Sequence, residues 1–141
     1  MNQQRIRLMC VDDNQMLAEA LERHVMSHSR FVWAGWIEDT STLVAKVTSA
    51  KPDIILMDID MPGTDAFSLV QGLSESSPDA RVVMFSAYVR HDYIDRATES
   101  GAWGYISKNE GMDEIFSAIE RVADGEFVLT GDVLNEQQRS R

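Results

Sequence analysis

Acidic, hydroxyl and basic side chains follow four separate apolar runs of this 141-residue sequence. In the order of the runs, they are Asp12 and Asp13, Asp58, Ser86, and Lys108. Three carboxylates held close together repel one another, and a hard divalent cation such as Mg²⁺ relieves that repulsion because it prefers oxygen ligands. A hydroxyl donor and a lysine beside them complete a set that suits phosphoryl transfer to a carboxylate nucleophile.

The apolar runs alternate with segments in which apolar residues recur at helical spacing. The run from Ile54 to Met57 ends in an acid and is followed by the turn pair Pro62-Gly63, which is typical of a strand buried on both faces. Strands that alternate with helices predict a parallel sheet with helices on both faces. Ligands bind at the carboxyl ends of such strands, so the side chains above are expected at one edge of the sheet. The predicted strands cover residues 5–11, 31–37, 54–58, 81–86 and 102–106.

Composition limits the classes of protein to which the chain can belong. It has 13 Lys and Arg against 23 Asp and Glu, a net charge of −10, so it is not expected to bind DNA or an anionic membrane by itself. A single cysteine, Cys10, excludes an intramolecular disulfide and indicates a reducing compartment. No apolar run is long enough to span a bilayer, and no signal-peptide core follows the N-terminus. We therefore expect one cytoplasmic domain with no membrane partner.

Four motifs occur in a fixed order, each at the end of a predicted strand. They are Val11-Asp12-Asp13, the segment 58–65 (Asp-Ile-Asp-Met-Pro-Gly-Thr-Asp), Phe85-Ser86-Ala87, and the segment 101–108 (Gly-Ala-Trp-Gly-Tyr-Ile-Ser-Lys). In identity, order and spacing they resemble the receiver domain of the response regulators of two-component signalling. The resemblance implies a flavodoxin-like α/β fold, which is a doubly wound, five-stranded parallel sheet in the order 2-1-3-4-5 with helices on both faces.

The resemblance covers residues 5–125, which we interpret as one receiver domain. The segment 101–108 and the later Glu126 to Thr130 look most like the receivers of LuxR-type transcriptional regulators, in which a helix-turn-helix output domain follows. Residues 126–141 are therefore predicted to be a C-terminal tail or the start of a linker to an output domain absent from this chain. Any DNA contact is expected through that output domain alone.

By this resemblance, Asp58 is the expected phosphoacceptor, which receives a phosphoryl group from a sensor histidine kinase. Mg²⁺ (or Mn²⁺) would be bound by Asp13, by Asp12 partly through water, by Asp58, and by the main-chain carbonyl of Asp60. Asp60 and Tyr88 also occupy positions thought to tune how long the phosphoryl group persists. The protein would then be a phosphorylation-activated switch rather than an enzyme, and a phosphorylation-dependent homodimer is a further expectation.

The same resemblance implies that Ser86 donates a hydrogen bond to one phosphoryl oxygen and that Lys108 pairs with another. Tyr105 would be the switch aromatic, which turns inward when Ser86 moves towards the phosphoryl group. The sequence departs from the family at Asn109, where proline after a cis peptide bond is usual.

Two alternatives stay open. A stand-alone receiver could act through protein interaction alone. The segment Asp58-Ile59-Asp60 also resembles the aspartate-x-aspartate nucleophile motif of haloacid-dehalogenase-type phosphatases, which use Mg²⁺, a hydroxyl residue and a lysine in similar roles. In those enzymes the motif follows the first strand of the core, whereas here a complete βαβα segment that carries Asp12-Asp13 precedes it.

Overall fold

Six strands and six helices alternate along residues 4–139, the part of the chain that the computed structural model describes. The strands are β1 (Ile6–Val11), β2 (Phe31–Ile37), β3 (Ile54–Asp58), β4 (Arg81–Ser86), β5 (Gly104–Ser107) and β6 (Val128–Leu129). The helices are α1 (Gln15–Met26), α2 (Leu43–Ala50), α3 (Ala66–Ser76), α4 (His91–Ser100), α5 (Met112–Ala123) and α6 (Gly131–Arg139), and a short 3-10 turn at Thr40–Thr42 precedes α2.

The helix ends follow local side-chain chemistry. The side chain of Asn14 accepts a hydrogen bond from the backbone N–H of Leu17 at the start of α1, and Asp65 caps α3 in the same way. Short polar side chains of this kind are typical of helix N-termini, where they satisfy backbone N–H groups that lack a partner within the helix. Gly101 ends α4 with a φ of 99°, a left-handed conformation that glycine adopts without steric cost.

All neighbouring strands are parallel, in the order β2-β1-β3-β4-β5-β6. The predicted α/β fold and the order of its first five strands are therefore confirmed. Among residues 4–139 the structure adds a sixth strand, β6, at the edge beside β5. No sequence pattern predicts this strand, because two residues are too few to show alternation.

The close approach of β6 to β5 depends on Gly104. The backbone of Val128 pairs with that of Gly104, and a Cβ atom built on Gly104 would lie 2.6 Å from the carbonyl oxygen of Val128. Since real Cβ atoms do not come that close to a backbone oxygen, any side chain at position 104 would push the two strands apart. Glycine at this position is what allows the sheet to extend.

Residues 126–139, for which the sequence predicts a tail or linker start, form β6 and α6. Val133 of α6 is fully buried in the hydrophobic cluster that also contains Ile94 and Tyr105. The N–H of Ser107 donates to Oγ1 of Thr130 (3.1 Å), which ties the end of β5 to the start of α6. The placement of the receiver boundary at residue 125 stays a prediction, while β6 and α6 share the sheet and its core.

Two hydrophobic clusters lie on the two faces of the sheet. Residues of β3 alternate between them: Ile55 and Met57 belong to the cluster covered by α2, α3, α4 and α6, and Ile54 and Leu56 to the one covered by α1 and α5. All four side chains are fully buried, and full burial of each is worth about 1.5–3 kcal/mol. The continuous apolar run in the sequence is thus explained by helices on both sides, and it fixes the strand that ends at Asp58.

Within the described range, no helix has both the length and the apolar character needed to cross a membrane.

Candidate functional site

The predicted chemical side chains lie at the carboxyl edge of the sheet. Asp58 is the last residue of β3 and pairs in register with Phe85 of β4, so that Ser86 lies one residue beyond it. Ser86 is in turn level with Ser107 of β5, and Lys108 follows directly. The main-chain N–H of Lys108 donates to the carbonyl of Ser86 (2.8 Å) and holds the ends of β4 and β5 together. The parallel topology therefore brings residues from four strands to one place, as the sequence predicts.

Three carboxylates converge at this edge. Asp12, Asp13 and Asp58 each offer an oxygen, and these oxygens all lie within 4.8 Å of one another. Asp12 and Asp58 are buried, whereas Asp13 is exposed. An acidic set of three converging oxygens that is open on one side fits a hard divalent cation.

Lys108 supplies the positive charge. Its Nζ atom lies 2.7 Å from Oδ2 of Asp12 and 3.4 Å from Oδ1 of Asp58. Both contacts are ion pairs in a largely buried setting. Burial by itself lowers the pKa of Lys108, but the ion pairs with Asp12 and Asp58 outweigh it, and the pKa is raised above its ordinary value. The ammonium therefore stays charged between the two buried carboxylates at neutral pH.

Asp58 sits in a tight turn at the end of β3. Its Oδ1 atom accepts a hydrogen bond from the N–H of Asp60 (3.1 Å), a local bond typical of aspartate at a turn. Burial raises the pKa of the Asp58 carboxyl, the Asp60 N–H opposes that shift, and the nearby charge of Asp12 adds to it. The carboxylate is thus poorly solvated and positioned by the backbone.

The Ser86 hydroxyl is buried and does not point at Asp58. Its Oγ atom donates to Oδ2 of Asp60 at 2.6 Å and accepts from the N–H of Tyr88 at 3.0 Å. The other carboxylate oxygen of Asp60, Oδ1, accepts a hydrogen bond from the hydroxyl of Tyr93 (3.3 Å). The site therefore includes a hydrogen-bonded cluster of Ser86, Asp60, Tyr88 and Tyr93 beside the carboxylates.

The sequence pointed to Ser86, Asp60 and Tyr88 but not to the hydrogen bonds that join them, nor to Tyr93. The predicted role of Asp60 is that of a metal ligand through its main-chain carbonyl, whereas in the structure its side chain accepts from Ser86 and Tyr93. One feature of the sequence could have pointed to Tyr93, because it lies in the first turn of α4, shortly after the end of β4. The pairing itself depends on where the loop after β3 places Asp60 relative to the end of β4 and the start of α4, which no periodic pattern encodes.

Tyr105 is fully buried on β5. Its hydroxyl donates to the main-chain carbonyl of Tyr88, in the loop that follows Ser86. Burial raises the pKa of the Tyr105 phenol well above its ordinary value, so the hydroxyl stays protonated and able to donate. Tyr105 thus faces inward in this structure, and its role as a switch stays a prediction.

The loop after Lys108 shows how the chain accommodates Asn109. The structure contains no cis peptide bond among residues 4–139, so the bond between Lys108 and Asn109 is trans. The N–H of Asn109 donates to Oγ of Ser107 (3.1 Å), and its side-chain amide approaches the carbonyl of Ala87 (3.4 Å). Asn109 therefore links the loops that follow β4 and β5.

Comparison with known proteins agrees with this geometry. Residues 8–120 match the response regulator receiver domain family. The transcriptional regulatory protein DegU of Brevibacillus brevis is 30% identical over 124 residues, which are 88% of this chain and 52% of DegU. The transcriptional regulatory protein MctR of Rhizobium johnstonii is 32% identical over 131 residues, which are 93% of this chain and 61% of MctR. The predicted resemblance to a receiver domain is confirmed.

A solved structure has the same fold. It is a two-component response regulator of the LuxR family from Aurantimonas, with a TM-score of 0.90, 24% sequence identity, and coverage of 97% of this chain and 98% of that one. The chain spans only about half to three fifths of the two curated relatives (52% and 61%), so the activities of those whole proteins extend beyond the part compared.

Proposed function

The chain belongs to the response regulator receiver domain family, and from that premise we propose that Asp58 accepts a phosphoryl group from a sensor histidine kinase. The observation that supports this most directly is the Lys108 ammonium, which lies 2.7 Å from Asp12 and 3.4 Å from Asp58 in a buried setting. A fixed cation beside a carboxylate nucleophile is what a transferred phosphoryl group requires, because its oxygens carry negative charge in the transition state.

In the proposed reaction, a carboxylate oxygen of Asp58 forms the O–P bond while the N–P bond of the kinase phosphohistidine breaks. The electron pair of that bond returns to the imidazole, which then takes up a proton. Burial favours this step because a poorly hydrated carboxylate sheds little water before it attacks. Lys108, already between the carboxylates, would pair with an oxygen of the arriving group.

We propose Mg²⁺ or Mn²⁺ as the metal. Asp12, Asp13 and Asp58 would hold it, together with the main-chain carbonyl of Asp60. The convergence of three carboxylate oxygens within 4.8 Å supports this assignment. When bound, the metal neutralises charge on the carboxylates and on the phosphoryl oxygens and orients them for transfer. Two negatively charged groups could not otherwise approach each other closely.

The hydrogen bonds of the Asp60 side chain favour the receiver function over the phosphatase alternative. In that alternative, Asp60 would act as a general acid towards a substrate on Asp58. Its two oxygens instead accept hydrogen bonds from Ser86 and Tyr93. We therefore propose that the protein is a switch in which Ser86 and Tyr105 change conformation on phosphorylation. We further propose that it forms a homodimer when phosphorylated and that it controls transcription through an output domain.

The test is intact mass spectrometry after incubation with acetyl phosphate and Mg²⁺. Wild type should gain one phosphoryl group, and the gain should disappear with EDTA. Asp58→Asn should gain none, while Asp65→Asn, which alters an exposed helix cap instead, should still be modified. Modification of Asp58→Asn to the wild-type level would refute the assignment. Absence of modification and of Mg²⁺ binding in wild type would favour the interaction-only alternative.

A further inference from the structure

The Ser86 hydroxyl donates its only hydrogen bond to the carboxylate of Asp60. A serine hydroxyl carries a single hydrogen and can donate to only one acceptor at a time. Here that hydrogen goes to Oδ2 of Asp60 at 2.6 Å, the length of a charge-assisted O–H···O⁻ bond. While the bond exists, Ser86 cannot donate to an oxygen on Asp58.

The bond is supported on both sides. Tyr93 donates to the other oxygen of Asp60 (3.3 Å), which helps to fix the direction of the carboxylate. Ser86 is fully buried and accepts from the N–H of Tyr88 (3.0 Å), so its hydroxyl has little freedom to turn. The carbonyl of Tyr88 in turn accepts from Tyr105. A change of partner at Ser86 therefore acts on the loop to which Tyr105 is bound.

We propose that Asp60 is a positioning residue that holds Ser86 away from the phosphoryl site and so competes with the phosphoryl group for its hydroxyl. This inference rests on the proposed function of Asp58. Asp60 is itself exposed, so water screens part of the interaction and limits its strength. The unphosphorylated state is stabilised by the contact, and phosphorylation has to break it.

The test measures binding of beryllofluoride, an analogue of the phosphoryl group, in the presence of Mg²⁺. Trp36 provides the signal, since its indole N–H donates to the carbonyl of Asp12 (2.7 Å) at the edge of the site. Asp60→Asn keeps the shape of the side chain but makes it a neutral, weaker acceptor. We expect the dissociation constant of Asp60→Asn for beryllofluoride to fall about fivefold, because the charge-assisted bond from Ser86 becomes a weaker, neutral one and water already screens part of it.

Loss of a negative charge near an anion would tighten binding even without Ser86, so the same substitution is also made in a Ser86→Ala background. If Asp60 acts through Ser86, Asp60→Asn changes binding less than twofold in that background. An equal gain in both backgrounds would refute the inference and assign the effect to charge alone. Asp92→Asn removes a carboxylate that pairs with Arg90 and not with Ser86, and serves as the matched control.

The remaining outcomes separate the two proposals. If wild type binds beryllofluoride and Asp60→Asn binds it no more tightly, the role of Asp60 is refuted while the phosphoacceptor assignment stands. If wild type does not bind it at all, the phosphoacceptor assignment fails and the inference with it. Tyr93→Phe, which loosens Asp60 without a change of charge, should tighten binding in the same direction by a smaller factor. No tightening in Tyr93→Phe would argue against a positioned Asp60 carboxylate.

Discussion

Substitution of Lys108 by methionine tests whether this lysine compensates the acidic site. Lys108 lies between two buried carboxylates, 2.7 Å from Asp12 and 3.4 Å from Asp58, and only 17% of its side chain is exposed. Methionine has similar length and no charge, so the two carboxylates would stay buried without their cation. Removal of one partner of a buried ion pair costs about 3–5 kcal/mol. The residual exposure of Lys108 places the expected loss of unfolding free energy at the lower end, about 3 kcal/mol.

The assay is urea denaturation of wild type and Lys108→Met at neutral pH, once with EDTA and once with saturating Mg²⁺. With EDTA the full loss is expected. With Mg²⁺ most of it should disappear, because a divalent cation held by the three carboxylates neutralises the same charge. Lys46→Met, at an exposed position of α2, is the matched control and should change the unfolding free energy by less than about 0.5 kcal/mol.

Two results would contradict this reasoning. A loss below about 1 kcal/mol with EDTA would mean that solvent, not Lys108, balances the buried carboxylates. An equal loss with and without Mg²⁺ would mean that the effect comes from packing of the lysine stem and not from its charge. Either outcome would also weaken the electrostatic part of the proposed function.

Two further predictions concern Asp58 and Gly104. Burial raises the pKa of Asp58, so ionisation of this carboxyl lowers the free energy of unfolding. The loss develops as the pH rises from the ordinary carboxyl pKa through the raised one. Asp58→Asn should therefore be more stable than wild type at neutral pH in EDTA, and this difference in stability should disappear at low pH. The measurement is the urea midpoint of both proteins as a function of pH, and a difference that does not change with pH would refute the reasoning. Gly104→Ala should lower the melting temperature, since its Cβ would lie 2.6 Å from a carbonyl oxygen of β6. Gly72→Ala, in α3 with no atom within 4 Å of the added carbon, should raise the unfolding free energy by about 0.5–1 kcal/mol, and the opposite order of the two variants in a thermal melt would show that β6 does not hold this register.

The sequence by itself determined the first five strands of the sheet and the position of the site. Ile54 to Met57 form a short run, followed by turn residues, that is typical of a strand covered on both faces, and the residue after that run is Asp58. Parallel strands direct their carboxyl ends to one edge, so the identity of each strand-end residue was enough to predict that Asp12, Asp58 and Lys108 meet. This information is local, because it depends on periodicity and on the residue that ends each period.

The tertiary structure alone decided what each side chain at that edge contacts. Ser86 donates to Asp60, and Asp60 also accepts from Tyr93 across a gap of 33 residues in sequence. Hydrogen bonds of this kind depend on how the loop that carries Asp60 is placed relative to β4 and α4, to within a few tenths of an ångström, and loop geometry carries no sequence period. The same holds for β6, which is two residues long and pairs with β5 only because Gly104 leaves room for the carbonyl of Val128. The sequence pattern predicts which residues lie at the site, whereas their hydrogen-bond partners follow from packing between segments far apart in sequence.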